Sequence, residues 1–157
     1  MNTERSQTTG WETTLSTASE MADTLRMDGC EVTTARAAQV IPEAPADGET
    51  DRFGLVYVIG QSDADALQSR VSTGEFTEYE VYNRRQGDTL FVLTRIFDQQ
   101  REKAVLLVGA VDLTHADKLL RAVQDRDEIY SHVQLLDGTT VCSFRHSNPA
   151  AVVPINK

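Results

Sequence analysis

Long apolar runs are missing from this sequence of 157 residues, and cysteine is almost missing. No stretch approaches the roughly 20 apolar residues that a transmembrane helix requires. The first ten residues, MNTERSQTTG, lack the basic end and apolar stretch of a signal peptide, so we expect a cytoplasmic protein. Cys30 and Cys142 have no C-x-x-C spacing, which favours small buried side chains over a disulfide or a metal site.

Lysine is also scarce, since only Lys103, Lys118 and Lys157 occur. The chain carries 24 acidic and 15 basic residues, which gives a formal net charge of −9. Acidic side chains combined with arginine in place of lysine are typical of a halophilic protein, whose surface stays hydrated in molar salt. No basic stripe follows the sequence, which argues against nucleic acid as a partner.

Catalytic and cofactor-binding motifs are missing as well. Neither G-x-S-x-G nor S-x-x-K occurs, which removes two common signatures of a serine nucleophile. The nine glycines form neither G-x-G-x-x-G nor G-x-x-x-x-G-K, so we expect no nucleotide cofactor. His115 and Asp117 have no third ligand nearby; we interpret them as the start of a helix and expect no metal. The sequence leaves open whether the protein is an enzyme.

The patterns of apolar and polar residues in the sequence predict a single α+β domain over residues 9–146. A disordered tail over 1–8 and a C-terminal tail over 147–157 flank this domain. The first helix is predicted to start at a Thr9–Glu12 capping box and to stop at Gly29. One apolar stripe follows this helix: Trp11, Leu15, Ala18, Ala22 and Leu25.

Strands are predicted where apolar residues alternate or run together. FGLVYVIG, residues 53–60, is an almost unbroken apolar run and is typical of a strand buried on both faces. CEVTTARAAQV, residues 30–40, alternates loosely, although its alanines suit a helix equally well. The other predicted strands are FTEYEVYNR, DTLFVLTRIF, KAVLLVGAV, YSHVQLL and TTVCSFRH, with an Asp137-Gly138 turn between the last two.

Two predicted helices resemble each other. SDADALQSRV over 62–71 matches THADKLLRAV over 114–123 at four positions, and each follows an apolar strand and precedes a hairpin. We therefore interpret residues 53–97 and 103–146 as two β-α-β-β units, as in an internal duplication, with Ser62 and Thr114 as the helix caps. Such a pair predicts a mainly antiparallel sheet of about five to seven strands with three helices.

Arg84, Arg85 and Arg95 are the first candidates for a ligand or partner site. The first two are adjacent, and Arg95 lies on the neighbouring predicted strand, which makes this the densest basic cluster of the chain. They either pair with nearby carboxylates at a solvated turn or bind an anion or a partner.

The last hairpin supplies the second group of candidates. An Asp137-Gly138 turn pairs His132 with Ser143 and places Arg145 on the same face of the hairpin. These three side chains can line a small polar pocket. His146 falls on the opposite, apolar face, so the two histidines are not expected to form a joint site.

Apolar residues on both faces of the central strands indicate an interaction surface. A Gln86-Gly87 turn would pair Tyr82 with Phe91 and leave both on one face with Leu93. Either the Trp11 helix or a second chain is expected to cover that face. Trp11, Tyr82, Phe91 and Leu93 are therefore the interface candidates.

Several segments together carry a resemblance to a known family. They are the Trp11 helix ending at Asp28-Gly29, then DRFGLVYVIG, FTEYEVY, AVLLVGAVD and HVQLLDGTTVCSFRHSNPAAVVP. The chain resembles a family of small uncharacterised haloarchaeal proteins. The resemblance implies a haloarchaeal cytosol and brings no assigned activity, cofactor or functional residue.

Two hypotheses on function remain. The first is a non-enzymatic protein-interaction or self-associating adaptor module, with a protein partner or a homodimer. The second is a small-molecule or anion-binding domain, or a weak enzyme, with its pocket near His132 or near Arg84. A deep polar pocket would favour the second, and a flat apolar face would favour the first.

Overall fold

The computed structural model describes residues 3–44, 53–98, 100, 102–124 and 126–153, with side chains from residue 9 onward. Within these ranges the fold is α+β, with one mixed sheet of eight strands and four helices. The helices are α1 (Thr3–Met27), α2 (Gln61–Val71), α3 (Asp117–Gln124) and α4 (Pro149–Val152). The strands are β1 (Glu31–Arg36), β2 (Gln39–Glu43), β3 (Gly54–Ile59), β4 (Glu78–Gln86), β5 (Thr89–Asp98), β6 (Lys103–Asp112), β7 (Ile129–Leu135) and β8 (Thr140–His146).

The strand order is β4-β5-β6-β2-β3-β7-β8, and β1 also pairs with β6. The pairs β1–β6, β2–β6 and β3–β7 are parallel, whereas the β4–β5–β6, β2–β3 and β7–β8 pairs are antiparallel. The prediction of a mainly antiparallel sheet of five to seven strands with three helices is therefore corrected. The extra strand arises because residues 30–40 break into β1 and β2, and the extra helix is the single turn at Pro149.

The sheet curls until its two edge strands approach each other. The rings of Tyr79 on β4 and His146 on β8 are 4.4 Å apart between centroids. The Asn83 side chain on β4 also donates to the backbone carbonyls of Ala151 and Val152 at 3.3 Å. Helix α2 contacts both β1 and β8, which lie apart in the strand order. The sheet therefore has a concave inner face and a convex outer face.

Two apolar clusters hold the layers together. The inner cluster contains side chains from every strand and from α2, α3 and α4, with Leu55, Leu67 and Leu107 among its fully buried members. The outer cluster joins Ala18 and Ala22 of α1 to Leu93, Leu106 and other residues of β1, β5 and β6. The structure thus places the predicted stripe of α1 on the outer face of the sheet. β3 is buried on both faces, as predicted from FGLVYVIG.

Helix α1 differs from its prediction at the start and agrees with it at the end. It begins at Thr3, six residues before the predicted cap, so the Thr9–Glu12 capping box is wrong. No glycine or proline stands between Thr3 and Thr9 to stop the helix. At the other end Gly29 has a φ of +94°, and the amide of Cys30 donates to the carbonyl of Leu25 at 2.9 Å. This left-handed stop is confirmed.

The β4–β5 hairpin is shifted from its predicted register. The turn consists of Gly87 and Asp88, since Gln86 pairs with Thr89. Gly87 has a φ of +61°, a conformation that favours glycine at the first central position of a tight hairpin turn. Tyr82 consequently lies opposite Leu93, and the predicted pairing of Tyr82 with Phe91 is wrong. The shift is two residues, so the assignment of side chains to faces is unchanged.

The two predicted β-α-β-β units are not placed equivalently. β3 of the first unit pairs with β7 in parallel, whereas β6 of the second unit pairs with β5 in antiparallel fashion. The predicted caps are also wrong. Gly60 precedes α2 without a side-chain cap, and the carboxylate of Asp112 caps a short 3₁₀ turn (Leu113–His115) by accepting from the amide of Thr114.

Candidate functional site

A groove on the outer face separates α1 from β4. Its floor is formed by Phe91 and Leu93, which are both buried. Tyr82, Asn83 and Arg84 of β4 form one wall, and three threonines of α1 form the other: Thr13, Thr14 and Thr17. The groove encloses about 190 Å³. It unites three of the four predicted interface residues, and the fourth, Trp11, is half-buried in the outer cluster.

Most of the hydroxyl groups in the groove already donate a hydrogen bond within the protein. Thr14 donates to the carbonyl of Gly10 at 2.8 Å, and Thr17 donates to the carbonyl of Thr13 at 3.0 Å. The Tyr82 hydroxyl donates to the carboxylate of Glu80 at 2.7 Å, and Tyr82 as a whole is 44% exposed. This hydrogen bond also raises the pKa of Tyr82. To a ligand, the groove therefore presents mainly an aromatic ring and threonine methyl groups, and fewer free hydroxyl donors.

The predicted basic cluster does not form. Arg84 lies opposite Phe91, four residues along β5 from Arg95, which is about 13 Å in an extended strand. Arg85 is on the inner face, because side chains alternate along a strand, and its Nε donates to the carbonyl of Gly87. Arg95 binds the carboxylate of Glu80 at 2.5 Å. The hydrogen bonds from the Tyr82 hydroxyl and from Arg95 lower the pKa of Glu80. Arg84 makes no ion pair with any described residue.

The predicted polar pocket of the last hairpin forms in part. His132 pairs with Ser143 across the strands, as predicted, and His132 Nδ1 lies 2.7 Å from Ser143 Oγ. The ring of Tyr130 stacks on His132 at 5.4 Å between centroids. Arg145 shares this outer face but binds the carboxylate of Glu128, which raises the pKa of Arg145. The result is a polar surface strip on β7 and β8.

A second serine–histidine pair lies inside the curled sheet and escaped the sequence prediction. Ser131 Oγ is 2.8 Å from His146 Nε2, and the two residues are 0% and 1% exposed. Burial lowers the pKa of His146 from its ordinary 6.5 to about 4. His146 was correctly placed on the apolar face of the hairpin. The predicted pairing of His132 with Ser143 also sets Ser131 opposite Phe144 on that face, and this register was the signal that could have found the pair.

Two further hydroxyls lie beside this buried pair. Burial raises the pKa of Tyr57 to about 12, while the neighbouring hydroxyls of Thr94 and Ser131 oppose that rise. None of these neighbours has regular hydrogen-bond geometry with Tyr57. Thr94 Oγ1 and His146 Nδ1 also lack a partner among the described residues. Tyr57, Thr94, Ser131 and His146 thus form a buried polar cluster in the inner core.

Metal-binding geometry is not found in the described part of the chain, where no three His, Cys, Asp or Glu side chains lie together. His115 Nε2 lies 3.5 Å from Asp112, and both are exposed at the start of the 3₁₀ turn. Cys30 and Cys142 are half-buried and unpaired with each other. Burial raises the pKa of the Cys142 thiol to about 12, so this thiol stays protonated at neutral pH.

Comparison with known proteins assigns a family without an activity. A model described as a family of unknown function (DUF7529) matches residues 1–154. The chain belongs to this family, because the match covers nearly all of its length. No curated protein and no solved structure matches the chain. The family description names no source organism, so the haloarchaeal origin stays a prediction. None of the helices within the described ranges is long and apolar enough to cross a membrane.

Proposed function

We propose that this member of a family of unknown function is a non-enzymatic interaction module, which binds an acidic, extended segment of a partner protein between α1 and β4. The observation that carries the proposal is Arg84, an exposed and unpaired cation beside the exposed ring of Tyr82. Four of the described arginines pair with carboxylates, in Arg26–Asp23, Arg70–Glu31, Arg95–Glu80 and Arg145–Glu128. A partner carboxylate would complete the same pairing for Arg84.

The shape of the groove supports a short extended ligand. The buried Phe91 and Leu93 side chains supply an apolar floor. Every second side chain of an extended partner segment would point towards this floor and could pack on it. Tyr82 adds a rigid aromatic wall, a residue type that is enriched where interfaces carry much of their binding energy. Since the hydroxyl hydrogens of Thr14, Thr17 and Tyr82 are already donated, Arg84 is the main source of polar specificity.

The buried cluster supports a role other than catalysis. Ser131 and His146 have the spacing of a nucleophile and its base, but both are enclosed by the inner core, where a substrate has no access. In the second pair, His132 and Ser143 are both half-buried, and the His132 ring stacks against Tyr130 on the outer face of the sheet. An active site would need a concave pocket around such a pair.

Selection from a displayed library of random peptides tests the proposal. We expect the wild-type protein to enrich peptides that combine acidic and aromatic or aliphatic residues. The Arg84→Glu variant should lose these peptides by about tenfold or more in affinity, because it replaces attraction with repulsion. Arg85→Glu is the matched control, since it makes the same charge change on the opposite face of β4 and should retain binding.

Two outcomes would contradict the proposal. Enriched peptides that bind Arg84→Glu as well as wild type would show that the groove is not their site. Light scattering could instead reveal a dimer that Arg84→Glu dissociates. In that case the occupant of the groove would be a second copy of the chain, as in the self-associating alternative.

We further propose that the protein works in the molar-salt cytosol of a haloarchaeon. The proposal rests on the net charge of −9 and on the presence of only three lysines. An acidic surface needs cations to screen its self-repulsion, and salt also strengthens apolar burial. The unfolding midpoint should therefore rise strongly between dilute buffer and about 2 M salt, where charges are almost fully screened. An unchanged midpoint would exclude salt adaptation.

A further inference from the structure

The last described residues of the chain close the curled sheet. β8 runs in the same direction as β4, which follows from the strand pairs that connect them. β8 ends at His146, whose ring lies against Tyr79 near the start of β4, so the chain continues alongside β4. Residues 148–153, here called the latch, contain the single turn of α4. They fill the gap between the two edge strands, here called the seam.

Apolar burial positions the latch. The side chains of Pro149, Val152 and Val153 are buried, and both valines belong to the inner cluster. Ala150 is exposed on the opposite side of the turn. Two adjacent valines therefore supply most of the contact that the latch makes with the inner face of the sheet.

Hydrogen bonds between β4 and the latch use side chains of β4 and no strand ladder. The amide of Asn148 donates to the hydroxyl of Tyr79 at 2.9 Å. The side-chain amide of Asn83 donates to the carbonyls of Ala151 and Val152, each at 3.3 Å. No backbone–backbone hydrogen bond joins the latch to β4 within the described ranges. Since a single helical turn is not stable by itself, the latch is held more weakly than a ninth strand would be.

β4 has unpaired backbone groups along the seam. The amide of Leu113 donates to the carbonyl of Asp88, which shows that even-numbered positions on the β5 side of the hairpin point to β6. Backbone groups alternate in direction along a strand, so the odd-numbered residues of β5 bond the even-numbered residues of β4. Val81, Asn83 and Arg85 therefore direct their N–H and C=O groups away from β5. No described residue pairs with these backbone groups.

We infer that the latch is displaceable and that the seam is a docking site for an extended apolar segment of a partner protein. Such a segment would place two apolar side chains where Val152 and Val153 lie. Its backbone would also pair with Val81, Asn83 and Arg85 as an added strand, which the latch does not do. The latch is thus an autoinhibitory contact, because it lowers the apparent affinity of a competing segment in proportion to the fraction of closed molecules.

The seam is separate from the groove of the proposed function. A ligand in the groove contacts Tyr82 and Arg84 on the outer face of the sheet, whereas the latch packs on the inner cluster. Asn83 borders both sites, but its side-chain amide is bonded to the latch. Arg84→Glu should therefore abolish binding in the groove and leave binding in the seam unchanged. Either proposal can fail without the other.

Native-state hydrogen exchange on the full chain tests whether the latch opens by itself. The amides of Ala151 and Val153 donate to the carbonyls of Asn148 and Pro149, so they report on the turn. We expect these two amides to exchange at least about 100-fold faster than the amide of Leu106 in β6, and with little dependence on urea, because local opening exposes little surface. Equal rates with equal urea dependence would overturn the inference, since the latch would then open only when the whole domain unfolds.

A synthetic peptide of residues 147–153, SNPAAVV, tests whether the seam accepts a segment from another molecule. Val152→Ser in the full chain weakens the latch, and Ala150→Ser is the matched control because Ala150 is exposed. In an NMR titration, Val152→Ser should bind the peptide at least about tenfold more tightly than wild type or Ala150→Ser. A peptide with serine at both valine positions should not bind.

Two results of the titration would overturn the inference. One is a folded Val152→Ser variant that binds the peptide no more tightly than Ala150→Ser. The other is loss of the cooperative thermal melt in Val152→Ser, because the latch would then be an essential part of the fold and could not be displaced.

Discussion

The buried imidazole of His146 should make the stability of the domain depend on pH. The side chain is 1% exposed and packs its ring against Tyr79. Its Nε2 pairs with Ser131, whereas its Nδ1 has no partner among the described residues. A protonated ring would have to hold a second N–H and a charge in this apolar surrounding, which is why burial lowers its pKa.

The size and sign of the effect follow from the two pKa values. The pKa of His146 is about 4 in the folded protein, against 6.5 for an ordinary histidine. The unfolded chain therefore binds the proton more tightly, so this stability is present above pH 6.5 and is lost as pH falls towards 4. At 1.36 kcal/mol per pKa unit, the loss amounts to about 3 kcal/mol.

Urea unfolding measured from about pH 7 down to pH 4 tests this prediction. Wild type should lose stability across that range more steeply than His146→Gln, which cannot take up the proton. Carboxylate titration is common to both proteins and cancels in the comparison. His115→Gln is the matched control, since His115 is exposed, and it should follow the wild-type curve. Parallel curves for wild type and His146→Gln would refute the reasoning.

Four further predictions concern packing, thiol chemistry and metal content. Trp11→Ala should cost about 2 kcal/mol in urea unfolding, because the indole is only half-buried on the outer face; an unchanged midpoint would contradict this packing. Gly109→Ala should cost about 1–3 kcal/mol, since the new methyl group would overlap Val40 and lie 3.1 Å from the Tyr57 ring; wild-type stability would contradict it. Cys142 should resist alkylation at neutral pH in the folded protein, and rapid labelling would show that its thiol is accessible. Metal analysis should find no stoichiometric zinc, and a near-equimolar content in purified protein would contradict it.

Local elements could be predicted wherever one side-chain pattern was unambiguous. FGLVYVIG is an almost unbroken apolar run with β-branched and aromatic residues and a glycine at its end, and it forms the fully buried strand β3. Gly29 ends an apolar stripe of helical period, and it stops α1 as expected. Where two patterns fitted equally, the outcome depended on tertiary contacts. Residues 30–40 form two strands because β6 and β3 pair with them, which alanine-rich sequence does not signal.

The strand order could not be predicted, because parallel pairs join residues far apart in the chain. β1 pairs with β6 across about 70 residues, as in Glu31 with Lys103, and β3 pairs with β7 across 76, as in Gly54 with Tyr130. Neither pair is joined by a short turn with recognisable residues. Hairpins carry such signals, and the pairing of His132 with Ser143 was predicted correctly. The hairpin nevertheless has a bulge between Val133 and Gln134, so the two-residue Asp137-Gly138 turn assumed in that prediction is not kept.

The candidate sites show which features can be predicted from the alternation of side chains between the two faces of a strand. A shift of two residues in the β4–β5 register leaves every side chain on its face, so Tyr82, Phe91 and Leu93 share the outer face despite the wrong turn. The same shift changes every cross-strand neighbour. Arg95 therefore lies opposite Glu80, and the basic cluster with Arg84 is lost. A set of residues that only has to share one sheet face, such as the lining of the groove, is predicted correctly despite a two-residue error in register. Direct contacts between side chains on neighbouring strands are not.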